Sequence, residues 1–292
     1  AIFGGVHSNI FLMLTGSFLV GSASASAYQA RFAAIDLVEE AHRAKQLSYV
    51  VWGSTVGAVT GPNLMQPAGN MAEHFGLPRL VGPYMISAFT LTFASLLIFI
   101  FLKPDPYLTA LGKGKSYAAG KKHVKEALSH IWHKPIALFA IASIAIGHVV
   151  MVSVMVMTPV HMAHVDVSLK IIGLVISVHV IGMYAFSPIV GSFSDRIGRV
   201  KTIQIGLIVL IAACFVAGSA AADDVPRLGL GLFLLGLGWS FTLIAGSALL
   251  SSSVDPTLKT SSQGASDLVM NLAGAGGGAM AGVIISSLTY GW

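Results

Sequence analysis

The chain has 292 residues, 55% of them hydrophobic and only 10% charged, with a net charge of +5 and a mean hydropathy of +0.80. A soluble domain carries roughly 25% charge, so a water-soluble globular protein is excluded and a membrane protein is indicated. The single cysteine, Cys214, excludes an internal disulfide framework. Apolar runs at 8–30, 47–66, 80–102, 135–158, 169–193, 202–221, 228–252 and 262–288 approach the ~20 residues that cross a bilayer. Lipid offers an open strand edge no hydrogen-bond partner, so an all-α integral membrane protein with eight complete transmembrane helices is expected. With that alternation, fourteen of the seventeen Lys and Arg residues fall on one side, leaving only Arg79, Lys170 and Arg227 on the other. The bias orients the chain, with residues 103–134, 194–201 and 253–261 facing the cytoplasm. It also reads the positive charge as topology, with no call for a nucleic-acid partner.

Taken in order, the 8–30 run closes on Tyr28, Gln29 and Arg31. Gln29 is a candidate cavity residue, while Arg31 is near enough to the interface to snorkel. The 47–66 run carries Gly57-Ala-Val-Thr-Gly61-Pro62. Gly61-Pro62 removes a backbone donor and bends a helix, and small residues admit a close neighbour. Asn63 and Gln66 follow the bend as further cavity candidates. After the 80–102 run, residues 103–134 are rich in Lys, Gly and Ser and read as a linker. Within it, Ala118–His133 has helical spacing of Val124, Leu128 and Ile131. It either lies amphipathically along the membrane surface or forms a plain solvated linker.

The 135–158 run places His148 about 20 Å from its basic end, near the middle of a ~30 Å core. His179 lies roughly 14 Å inside the 169–193 run. An imidazole at such depth is costly when charged and titrates near neutral pH, so both are proton-coupling candidates. The alternative for each is a neutral, hydrogen-bonded packing residue. Met151, Met155, Met157 and Met162 read as adaptable packing, with a soft-metal site beside His161 and His164 as the minor alternative. Trp239, central in 228–252, either stacks on a substrate or packs. Asp267 and Asn271, at i and i+4, share one face near the start of the 262–288 run. That depth suits Asp267 to a gate contact better than to proton transfer, and Asn271 to a substrate contact.

Between two apolar runs stands Gly191-Ser-Phe-Ser-Asp195-Arg196-Ile-Gly198-Arg199-Val-Lys. It resembles the signature loop of the major facilitator superfamily of transporters, G-x-L-A-D-R-x-G-R-[RK]. Gly191, Asp195, Arg196, Gly198 and Arg199 match, while Phe193 and Ser194 replace the usual Leu and Ala. A generic tight turn is the alternative. The resemblance implies two six-helix bundles moving by alternating access. Aligned on the loop, the eight runs are expected to be the fourth to eleventh of twelve helices. Residues 1–102 would then belong to the first bundle and 135–292 to the second. The non-Met start and the end at Trp292 fit a piece lacking the first three helices and the last, with a complete eight-helix protein as the alternative. Gly57-x3-Gly61-Pro62 resembles the core of the antiporter motif of proton-coupled drug exporters, though Met65 and Gln66 stand where a further glycine pair is expected. A helix-packing kink is the alternative there too.

Enzyme signatures are absent: the sequence holds no H-E-x-x-H and no G-x-S-x-G. With no nucleotide motif, a proton gradient is the expected energy source, with no cofactor and no metal. The resemblance implies a monomeric carrier of small molecules in a bacterial plasma membrane, favouring efflux as an antiporter. Proton-coupled metabolite uptake and a non-transporting sensor or scaffold are the other readings.

Overall fold

A computed structural model describes residues 2–112 and 121–291, without the side chains of 62, 63, 65, 111, 121–125, 169 and 170. The described residues are helical and turn-linked. The helices are α1 (Ile2–Val6), α2 (Ile10–Ala33), α3 (Arg43–His74), α4 (Gly82–Phe101), α5 (Pro106–Leu111) and α6 (Lys121–His133). They continue as α7 (Pro135–Ala163), α8 (Leu169–Tyr184), α9 (Ser187–Ile197), α10 (Arg199–Gly218), α11 (Val225–Ser253) and α12 (Lys259–Ser287). Local chemistry sets the starts. Asn9, Asp105 and Asp224 accept first-turn backbone N–H bonds on α2, α5 and α11, satisfying donors that a helix end leaves open. Proline stands in the first turn of α4, α7, α9 and α11, where no N–H is needed.

Among the described residues, seven helical segments are long and apolar enough to cross a membrane. The eighth expected span, within α3, has the length but falls short in apolarity, because Gly, Ser, Thr, Asn and Gln dilute its middle. One expected span is in two pieces: 169–193 becomes α8 and α9, broken at Ala185-Phe186. Pro188 explains the break. Its ring would clash with the Tyr184 carbonyl and it has no N–H to donate there.

The chain divides into two compact units, 1–37 with 56–115 and 38–55 with 116–292. In the first, α1 folds back on α2. Gly82 starts α4 directly against Ala68, where a Cβ would lie 2.0 Å from the carbonyl oxygen. Phe11 and Phe18 on α2, and Phe89 and Phe99 on α4, are exposed, a surface suited to lipid rather than water.

In the second unit α11 is the central helix, touching α7, α8 and α10, with Leu228, Leu232, Leu235, Ile244 and Leu250 fully buried. Glycines set the close crossings. A Cβ on Gly182 would meet the Phe233 carbonyl oxygen at 2.3 Å, and one on Gly236 the His179 carbonyl oxygen at 2.4 Å. Such small-residue contacts replace the hydrophobic effect as the packing force in lipid. The α12 glycines work the same way against α7: Gly274 abuts His148 and Gly277 abuts Val149. Gly57 and Gly61 do not, since no described atom lies within 4 Å of a Cβ placed on either.

Helix α6 begins at Lys121, with 118–120 outside the described residues. It docks on α7 and α12 through buried Ala127 and Ile131, whereas Leu128 is exposed. Of the Val124–Leu128–Ile131 line read from the sequence, Ile131 is thus buried and Leu128 exposed, while the Val124 side chain lies outside the described residues.

Helix α11 has 29 residues, about 43 Å at 1.5 Å each, enough to carry its ends to opposite faces. Single cysteines replacing Asp223 and Thr257, in a Cys214→Ser background, are expected to label with an impermeant reagent from opposite sides, Thr257 from the cytoplasm. Labelling of both from one side would contradict this orientation.

Candidate functional site

The turn between α9 and α10 is built on Gly198, whose φ of +96° only glycine adopts without strain. That geometry ends α9 and places Arg199 as the first residue of α10. Three residues before Gly198, Asp195 reaches the start of α3. Its Oδ1 accepts the Ala44 N–H at 3.1 Å and its Oδ2 the Lys45 N–H at 2.9 Å. A carboxylate holding two first-turn N–H groups is a helix cap supplied from another helix. Charge-assisted bonding and the positive end of the helix dipole both favour it.

Arg199 extends the contact. It donates to Glu40 Oε1 at 3.1 Å, to the Glu40 carbonyl and to Ser252 Oγ at the end of α11. Arg43 donates to the same Ser252 Oγ at 3.1 Å and to the Val38 carbonyl at 3.2 Å. Ser252 in turn donates to the Ala248 carbonyl at 3.1 Å. The result is a latch that ties the first turn of α3 to α9, α10 and α11. Beside it lies a shallow cleft of about 300 Å³ lined by Glu40, Ala41, Asp195 and Arg199.

Gly191 belongs to this contact. A Cβ there would lie 2.6 Å from the Ala44 carbonyl oxygen and 2.4 Å from Ser48 Oγ. The hydroxyl can turn away; the carbonyl is fixed in the first turn of α3. Gly191→Ala is therefore expected to push α9 off α3 at an overpacking cost of about 1–3 kcal/mol, with every latch charge retained. Spin labels on α9 and α3 of the full-length protein should then report a wider separation than in the unaltered protein, at unchanged expression; an unchanged separation would mean the contact is not tight.

Arg196 stands apart from the other signature residues. It is exposed and takes no part in the latch; Arg199 makes the ionic contact instead. Helix periodicity is the cause, because Arg196 follows Asp195 by one position and so faces away from it. Asp267 is buried on α12, outside this network. Glu40, Arg43 and Ser252 were not singled out from the sequence. Only the charges crowding the start of α3, Glu39, Glu40 and Arg43, signalled them.

The two buried histidines differ. His179, with 0% exposure, uses Nδ1 to bond the Leu232 carbonyl at 2.8 Å. A carbonyl only accepts, so Nδ1 carries the proton and the ring ties α8 to α11. Its Nε2 is buried without a partner, so a second proton there would be an unsatisfied buried donor. This is the geometry of a packing residue.

His148 is central in α7 and 8% exposed. Its Nδ1 accepts the indole N–H of Trp239 at 3.1 Å, from the middle of α11. Its other edge lies on α12, where a Cβ on Gly274 would come within 2.6 Å of Cδ2 and 2.8 Å of Nε2. Trp239 is only 3% exposed, with Tyr184 edge-on at 5.8 Å, so its face is not open for a substrate to stack upon.

The other candidates are scattered. Gln29 is half-buried, while Gln66 and Asn271 are exposed. The Asn271 amide turns back on its own helix, donating to the Asp267 carbonyl at 2.7 Å. The side chains of Pro62 and Asn63 lie outside the described residues. Arg31 does not snorkel: it is 3% exposed, its guanidinium 4.6 Å from the Phe32 ring centre. Met151 and Met162 are buried packing residues, and His161 stacks on Tyr290 at 4.2 Å. Burial raises the Tyr290 phenol above its usual pKa, with the Thr158 hydrogen bond opposing in part.

Known proteins are similar to this sequence. The family description Major Facilitator Superfamily matches residues 1–278. Two uncharacterised MFS-type transporters of Bacillus subtilis (strain 168), YddS and YdeG, are 36% and 34% identical over 293 and 290 residues. Each match covers 99% of this chain and 67% of the relative. The riboflavin transporter RfnT of Brucella anthropi is 25% identical over 267 residues, covering 91% of this chain and 64% of that protein. On the family match and these relatives, the chain belongs to the major facilitator superfamily, a family of multi-pass membrane transporters and not of enzymes.

Proposed function

We propose that this chain forms the working part of a secondary carrier that moves small molecules by alternating access, coupled to protons, in a bacterial plasma membrane. The Asp195 cap on α3 is the observation that carries this reading. In the facilitator scheme α3 is a first-half helix and the signature loop a second-half one, joined here through the 103–134 linker. A cap between helices of the two halves holds one state and must open in the other. A ligand or proton can drive that change only through a difference in affinity between the states. The carrier acts as a monomer, powered by the proton gradient and without a cofactor. His148 is the proton-binding candidate; Gln29, Gln66 and Asn271 are the candidates for the cavity, and Asp267 for its gate.

Export of small amphipathic molecules is the favoured direction. Metabolite carriage is the second reading. The similarity to a riboflavin transporter favours it. The test is a growth and accumulation screen of the full-length carrier against a compound panel that includes flat-ring metabolites, with and without a protonophore. Export predicts lower accumulation, restored by the protonophore. Carriage inward predicts protonophore-sensitive uptake. No effect on any compound would favour a non-transporting protein of the same fold.

A further inference from the structure

His148 sits between two helices that constrain its ring differently. On one side the Trp239 N–H from α11 points at Nδ1 at 3.1 Å. An indole N–H can only donate, so Nδ1 must present its lone pair, and the neutral ring carries its proton on Nε2. On the other side Gly274 of α12 allows the ring edge against bare helix backbone. Any turn of the ring toward α12 meets that backbone.

We propose that Trp239 is the positioning residue that reads out protonation of His148. A proton can be taken up only by the Nδ1 lone pair, which the indole N–H occupies. Once bound, it places two N–H groups head to head. The hydrogen bond breaks and one partner must leave. The imidazole is pinned by α12, so the indole moves, and with it the contact between α7 and α11. The Trp239–Tyr184 edge contact then changes on the α8 side. A buried aromatic lever thus converts one proton into a shift of α11, the helix whose end carries Ser252 and the latch.

Other ionisable groups share the helices packed around His148, among them Lys259 at the start of α12 and His161 near the end of α7. Asp267 on α12 precedes Gly274 by two turns, about 10 Å along the axis. On α8 are Tyr184 and His179, the latter bonded to Leu232. On α11 Arg227 lies in the first turn, on α10 Cys214 lies toward the opposite end from the latch, and on α6 His130 lies beyond the start of α7.

This inference rests on the proton-coupling reading of His148, and its test separates the two. The whole carrier is prepared in lipid nanodiscs with Trp239 as its sole tryptophan, every other tryptophan being phenylalanine. Trp239 emission and substrate binding are both followed from about pH 5 to 8, with His148 present and as His148→Gln; His148→Asn serves if Gln is not tolerated. The expected result is one step in emission with pH, lost in the variant. Flat emission with binding that still depends on pH through His148 would overturn the Trp239 lever and leave the coupling reading standing. Flat emission and pH-independent binding would overturn both. The same step in both proteins would place the titrating group elsewhere, Asp267 first, and would also overturn the lever.

Discussion

Asp195→Asn is expected to weaken the latch strongly while leaving membrane insertion intact. The carboxylate accepts two backbone N–H bonds at the start of α3. Hydrogen bonds to a charged group contribute about 1.5–3 kcal/mol each, against about 0.5–1.5 for neutral ones. An amide has one accepting oxygen, so its NH2 group would face one of the two N–H donors. A loss of about 1.4–2.8 kcal/mol shifts the balance of states by roughly ten- to a hundredfold. Transport by the full-length carrier should slow, because the latched state is no longer populated enough to complete each cycle. Asp195→Glu, which keeps the charge but adds a methylene, should recover part of the rate. Normal expression with unchanged exchange kinetics in Asp195→Asn would reduce the loop to a simple turn. The exposed Arg196 supplies the internal control: Arg196→Ala should change the kinetics far less than Arg199→Ala, which removes the donor to Glu40 and leaves Ser252 with Arg43 alone.

His148→Gln is expected to abolish the pH dependence of substrate binding while keeping binding itself. Glutamine retains a carbonyl oxygen to accept the Trp239 N–H but cannot titrate. Wild-type affinity should vary between about pH 5 and 8, and the variant's should be flat across that window. The sign of the wild-type change reports direction of coupling. Substrate bound more weakly as the pH falls means proton and substrate exclude one another, as an exchanger requires. Tighter binding at low pH means they bind together, as a symporter requires. His179→Gln should leave the pH profile in place and instead weaken the α8–α11 tie through the bond to Leu232. If the two His148 curves move together, His148 is structural.

The helices were legible because lipid leaves so few alternatives: a run of ~20 apolar residues has to become a helix. What the runs could not show was how each helix is used. The break at Ala185-Phe186 lay hidden because Pro188 sits inside a continuous apolar stretch, where hydropathy is blind to a missing N–H. The span within α3, read from the sequence as 47–66, is helical over 32 residues but less apolar than the seven others. Of the latch, the signature residues announced Asp195, Gly198 and Arg199 as a group. Their partners are a helix end and a serine far away in sequence, and no local pattern marks a backbone N–H as a ligand. Arg196 and Arg199 stand alike in the motif, which lists residues in a line, while a helix distributes them around an axis. His148 and His179 looked alike by depth. They part only when the partner atom is known, a carbonyl for one and an indole N–H for the other.

The most direct test of alternating access through the latch is the distance across the cleft beside Asp195. Spin labels at Ala41 and Val200, which both line that cleft, flank the latch without touching its bonds. In the full-length carrier the account expects a short distance in the resting state and a second, longer population when pH and substrate are varied. In Asp195→Asn the longer population should already dominate at rest. A single unchanging distance under every condition, in wild type and variant alike, would contradict the account.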